Sequence, residues 1–154
     1  MTADKGHGRR RGAVVVEAAL VLPMVLLLFI GVMEYGRWLM TMHLASNAAR
    51  EGAEYAAKHT ATIYLDGRAF GSATSDVVSM VNARLAAQRL IGQTVSVYRS
   101  DSLGNNLGDW NTAQAGEYVC VKISGSYQFV TPKLLSMPAS MNASFQSVKR
   151  SEGN

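Results

Sequence analysis

From Ala13 to Met33 the chain runs for 21 residues without a polar face, interrupted only by Glu17 and Pro23. A helix of that length rises about 1.5 Å per residue and spans roughly 31 Å, the hydrocarbon thickness of a bilayer. Leu20, Val21, Leu22, Val25, Leu26, Leu27, Leu28, Phe29, Ile30 and Val32 would surround it on every side. That distribution fits a membrane span better than an amphipathic surface helix or a core helix. Glu17 lies five residues into the run, where a carboxylate is costly. It either snorkels to the interface or pairs with a charge supplied by a partner. Pro23 removes one backbone donor, which a membrane helix tolerates as a kink.

After the apolar run the pattern changes to an alanine-rich one. Residues 34–60 contain no proline and carry alanine at 45, 48, 49, 53, 56 and 57, so the helix is expected to continue beyond the membrane. Ala45, Ala49, Gly52 and Ala56 recur at spacings of four, three and four. They form a stripe of small residues against which another element can pack closely, either the protein's own sheet or a second subunit. Asp66-Gly67-Arg68 with Gly71 and Ser72 reads as a loop. A second helix follows, capped at Thr74 or Ser75, carried by Val77, Val78, Met80, Val81, Leu85 and Leu90, and stopped by Gly92. Alternation in Thr94–Tyr98, in Tyr118–Ile123 running on towards Pro132, and within Ala139–Val148 predicts three or four antiparallel strands. The fold class is α+β, a long N-terminal helix running into a head with a second helix and an antiparallel sheet. Its predicted parts are a basic leader (1–12), a transmembrane helix (13–33), its extramembrane continuation (34–60) and an α+β head (61–154).

Charge sharpens this picture. Lys5, Arg9, Arg10 and Arg11 oppose only Asp4 in the first twelve residues, leaving about +1 of the formal net charge of +4 for all the rest. A basic nucleic-acid-binding face is therefore not indicated, and no nucleic acid is expected as a partner. Beyond the span Glu34 and Arg37 cancel, so the positive-inside rule puts the N-terminus in the cytoplasm and the head outside. A cleavable secretory signal fits less well, because the apolar run exceeds the usual h-region of about 7–15 residues and no A-x-A site follows it. The arginine triplet also lacks the rest of a twin-arginine signal.

Arg9-Arg10-Arg11-Gly12 followed by Ala13-Val14-Val15-Val16-Glu17 resembles a prepilin peptidase site, with the cut between Gly12 and Ala13. The likeness continues through Ala18-Ala19-Leu20-Val21-Leu22-Pro23, Glu34-Tyr35-Gly36-Arg37 and Asn47-Ala48-Ala49-Arg50-Glu51-Gly52-Ala53. Together these blocks resemble the TadE-like family, small single-pass pseudopilins of the tight-adherence (Flp pilus) system. Ala13 stands where type IVa pilins and type II secretion pseudopilins usually begin with Phe, which favours the Tad branch. The resemblance implies a non-enzymatic structural or assembly component of Tad type IV pilus biogenesis and secretion, anchored in a bacterial inner membrane with its head in the periplasm. It implies prepilin peptidase, other Tad pilins and pseudopilins, and assembly platform proteins as partners. Glu17 would be the subunit-docking carboxylate, facing the terminal amine of a neighbouring subunit.

No catalytic constellation accompanies these features. The serines lack a His and Asp signature, no Gly-rich phosphate loop is present, and His59 with Asp66 is a chance pairing. The lone Cys120 excludes an intrachain disulfide and a Cys-based zinc site, and no cofactor or metal is expected. Asp101, Asn105 and Asp109 lack EF-hand spacing and read as turn chemistry, and the Asn142-Ala143-Ser144 acceptor pattern is discounted. The alternative function is a membrane-anchored binding module of the cell envelope that does not enter a filament.

Overall fold

The computed structural model describes residues 7–60, 63–65, 68–70, 73–86, 90–133 and 138–152. It begins with one helix, α1 (His7–Lys58), of 52 residues. The helix passes through Pro23 without interruption. It therefore starts within the predicted leader and runs unbroken across the predicted boundary at residue 34. At its C-terminal end Lys58 places a cation against the helix dipole, and His59 Nδ1 lies 2.8 Å from the Tyr55 carbonyl with the two rings stacked.

The chain divides into two compact units, one of Met1–Arg37 with Phe129–Ala139, the other of Trp38–Gln128 with Ser140–Asn154. In the first, the side chains from Val14 to Phe29 are exposed. Glu34, one residue past the apolar run, is instead 5% exposed.

The second unit is the head. A short hairpin joins β1 (Ile63–Leu65) to β2 (Arg68–Phe70), with Leu65 opposite Arg68. Arg68, expected in a loop, is thus in a strand; Asp66, Gly67, Gly71 and Ser72 lie outside the described residues. Next comes α2 (Thr74–Arg84). Its first turn is closed by Asp76, whose carboxylate accepts the Ala73 N–H at 3.1 Å, rather than by a side chain of Thr74 or Ser75. The helix is shorter than its pattern predicts. It stops at Arg84, well before Gly92, and Leu90 lies beyond it. Gly92 belongs instead to β3 (Ile91–Ser100), at φ +62, beside a register irregularity between Ile91 and Thr94. A glycine tolerates that left-handed geometry as readily in a bulged strand as at a helix end, so the residue type alone does not separate the two.

The main sheet has the order β4-β3-β5-β6, where β4 is Asn106–Gly108, β5 is Tyr118–Gln128 and β6 is Ser140–Arg150. All three pairings are antiparallel, as local hairpin connections require. The strand β5 ends at Gln128, so Phe129 to Pro132 leave the sheet. In β5, Val119, Val121 and Ile123 are fully buried. Val97 and Ser147 flank Val121, and Val95 and Phe145 flank Ile123. Ala45, Ala48, Ala49, Ala53, Ala56 and Ala57 of α1, Val77 and Val81 of α2, and Leu85 just past its end are buried as well. Small side chains let the helix backbone come close to the sheet. At Gly52 the approach is closest, since a Cβ there would stand 2.7 Å from Val81 Cγ2 and 3.3 Å from Val121 Cγ1.

Several links tie the segments of the head. The indole N–H of Trp110, a residue 1% exposed in a 3-10 turn (Trp110–Thr112), donates to Thr74 Oγ1 at 2.9 Å and pins the start of α2. The buried hydroxyls of Thr60 and Ser151 are 2.6 Å apart, and the Glu152 N–H donates to the Ala57 carbonyl at 3.1 Å. These last bonds satisfy the end of α1 with the residues just after β6. On the other face of the sheet the Asp101–Asn105 turn covers Tyr98 and Cys120. Cys120 donates to the Tyr98 hydroxyl at 3.4 Å, which donates to the Gly104 carbonyl at 3.1 Å.

Burial is the first cause that pushes the Tyr98 hydroxyl up to about 12, and burial likewise raises the Cys120 thiol. Both groups are neutral when protonated, and the folded chain holds their protons more tightly than the unfolded chain does. Their contribution to stability is complete below the unfolded values and is lost as pH rises through the folded ones. For Tyr98 the window runs from about 10 to about 12. A Tyr98→Phe chain is expected to lose less of its denaturant midpoint across that window than the native chain. An equally steep loss in both would remove Tyr98 as the cause.

Candidate functional site

The apolar part of α1 carries the three residues singled out for processing and docking. Gly12, Ala13 and Glu17 are all exposed, and nothing lies within 4 Å of a Cβ built on Gly12. All three are already helical, with Glu17 about 7.5 Å further along the axis than Gly12. Around and beyond Glu17 the surface is hydrocarbon: Val14 is 63%, Leu20 68%, Leu28 66% and Phe29 64% exposed. Water is a poor solvent for such a surface and a bilayer a good one. Among the described residues, α1 is the helix long and apolar enough to cross a membrane.

The stripe residues lie elsewhere, inside the head. Ala45 and Ala56 are fully buried, Ala49 is 1% exposed, and Gly52 abuts Val81 and Val121. The structure therefore does not bring the stripe together with Gly12, Ala13 and Glu17. Ala48, Ala53 and Ala57 are equally buried, so the packed face is wider than a four-residue stripe. The doublets Ala48-Ala49 and Ala56-Ala57 signal this, because adjacent small residues on a helix widen a stripe into a face.

Several charged groups on the head form solvated pairs. Glu54 is held by Arg50 Nε and by Lys149 Nζ, each at 3.1 Å, and the hydrogen bond from Arg50 is the first cause that lowers its pKa. Arg84 Nε lies 2.7 Å from Glu51 and links α2 to α1. Exposed pairs of this kind contribute little stability. Asp101 accepts hydrogen bonds from the Leu103 N–H, the Asn105 N–H and the Asn105 side-chain amide at 2.9, 2.9 and 2.7 Å. Its carboxyl is held below the usual range, first by the Asn105 side chain. Its oxygens thus serve the turn itself. Among the described residues no group of three or more His, Cys, Asp or Glu side chains is placed to hold a metal.

One further concavity, of about 580 Å³, opens along β5 and β6. Lys122, Ser124, Ser126, Asn142 and Ser144 contribute its polar groups, and the Ser126 hydroxyl donates to Asn142 Oδ1 at 2.7 Å. Neither a nucleophile with its base nor a paired acid lines it.

Fold and surface together define a class: an α+β, pilin-like protein whose long N-terminal apolar helix is suited to a membrane. Within that class, residues 12–54 match the model of the family described as TadE-like protein. The match covers α1 from the Gly12-Ala13 step to Glu54 and ends before the sheet. That family is one of Tad pilus-associated proteins with a membrane-spanning helix, structural rather than enzymatic. No curated protein and no solved structure matches the chain.

Proposed function

We propose that this protein is a TadE-like pseudopilin, a structural component that assembles with other pilins and pseudopilins of a Tad (Flp) pilus. It is anchored by α1 in the bacterial inner membrane, with residues 1–12 on the cytoplasmic side and the head in the periplasm. Prepilin peptidase cuts between Gly12 and Ala13, and Glu17 docks a neighbouring subunit within the bilayer. Assembly platform proteins are its further partners. The single observation that carries this reading is the exposed hydrocarbon surface of α1 with one carboxylate set in it, inside the segment that matches the TadE-like model. A carboxylate set in an apolar surface, with no ion-pair partner among the described residues, is best explained by a partner's charge.

Topology is the first test. An alkaline phosphatase fused after Asn154 is expected to be active, and a cytoplasmic reporter at the same position inactive. The opposite result would reverse the orientation and remove the periplasmic head. The polar concavity along β5 and β6 favours a second reading, an envelope-binding module that stays out of the filament. Recovery of this protein in sheared pilus fractions, or crosslinked to pilins in the membrane, separates the two.

A further inference from the structure

Glu34 is the one buried carboxylate of α1 among the described residues, and it stands directly after the last residue of the apolar run. Its Oε1 accepts the backbone N–H of Val130 at 2.9 Å, and Arg37 Nη1 lies 3.6 Å from its Oε2. Burying a carboxylate is expensive unless such donors offset the loss of water. What the bond holds in place is the start of the connection between β5 and β6, residues 129–133, which belongs to one compact unit with the helix up to Arg37. The Phe129 N–H donates to the Ala139 carbonyl at 3.2 Å and closes the base of that connection. The backbone of Val130 is thereby fixed within one side-chain length of the end of the apolar run.

The residues held there are unlike an ordinary solvated loop. Val130 is 65% exposed, Pro132 is half-buried and Lys133 is exposed. On α1 at the same level Tyr35 is 60% exposed. An exposed valine, a lysine and an exposed tyrosine at the exit of a membrane-length helix make up the chemistry of an interface, with apolar groups towards the acyl boundary and a cation towards phosphates. If α1 spans the bilayer as proposed above, the space around Val130 is headgroup, because Glu34 sets its height along the helix.

We propose that the start of this connection, residues 129–133, is a second membrane contact, in which Val130 and Lys133 rest in the headgroup region of the leaflet that α1 leaves, with Glu34 as the positioning residue. The occupant of this surface is lipid, since the surface continues the exposed hydrocarbon of α1 itself.

The test uses the full chain in phosphatidylcholine and phosphatidylglycerol vesicles, with an environment-sensitive fluorophore at Leu26→Cys, Met40→Cys or Val130→Cys. The native Cys120 is fully buried and stays unlabelled in the folded protein. Leu26 marks the interior of the span, and the exposed Met40 lies about 10 Å beyond Met33 along the helix. Lipids spin-labelled near the headgroup are expected to quench the Val130 probe about threefold more than the Met40 probe. Adding Glu34→Ala should bring the Val130 value down to that of Met40, whereas Glu34→Gln, which keeps an acceptor oxygen, should preserve it. A Val130 probe quenched no more than Met40, while Leu26 is quenched deeply, overturns the second contact and leaves the span standing. An unquenched Leu26 probe overturns both.

Discussion

Replacing Gly52 with leucine is expected to unfold the head, and replacing it with alanine to destabilise it despite a better helix former. By intrinsic propensity alone Gly→Ala in a helix gains about 1 kcal/mol. Here the added Cβ would lie 2.7 Å from Val81 Cγ2 and 3.3 Å from Val121 Cγ1. Val81 and Val121 are both fully buried, so neither can turn aside without disturbing a second element. Overpacking of this kind costs about 1 to 3 kcal/mol for modest additions, and more where the neighbours belong to a sheet and a helix at once. The alanine variant should therefore show a lower denaturant midpoint than the native chain. Cys120 supplies an independent readout, because its buried, raised-pKa thiol reacts with alkylating reagents only when the head opens. Rapid alkylation of Gly52→Leu under native conditions, with slow alkylation of the native protein, is the expected result. An alanine variant more stable than native would mean that the close approach of α1 to Val81 is not a constraint.

The parts of this fold that were legible in the sequence are those fixed by local periodicity. The apolar run, the alanine-rich continuation, and the alternation around Val95, Val121 and Phe145 each show their element without reference to anything distant. Errors arose where one residue type serves two geometries. Gly92 reads as a helix stop and is a left-handed strand residue; Leu90 continues the spacing of Val77 and Val81 yet lies past the end of α2. The hairpin of β1 and β2 did have a local signal, since the Asp66-Gly67 dipeptide is a strong two-residue turn sequence. Trp110 had none, because its role depends on Thr74, 36 residues away. The bond between Glu34 and Val130 spans 96 residues, and nothing in the spacing around Glu34 predicts it. Long-range polar pairs of this sort form only once topology has brought the segments together.

Gly12 and Glu17 are expected to fail in different ways when altered. Gly12→Leu should leave the helix intact, since the structure holds nothing within 4 Å of a new Cβ at that position. Its effect should fall instead on the peptidase, whose site must accept the residue before the cut. The membrane form should then keep the mass of the whole chain, whereas the native protein should lose residues 1–12. Cleavage creates a free amine on Ala13, and an ammonium at the edge of a low-dielectric layer requires a nearby opposite charge. Glu17 is the acid in the apolar run, one helical turn from Ala13 and exposed to a neighbour. A carboxylate of one subunit and the terminal amine of the next would each offset the desolvation of the other, and removing either would leave the second buried and unpaired. Glu17→Gln therefore should preserve insertion and cleavage while reducing recovery of partner pilins at least about tenfold, the equivalent of roughly 1.4 kcal/mol. Unchanged recovery with Glu17→Gln in a cleaved protein would return Glu17 to a side chain that merely reaches for the headgroups. An uncleaved native chain would remove the amine and with it the reason for the acid.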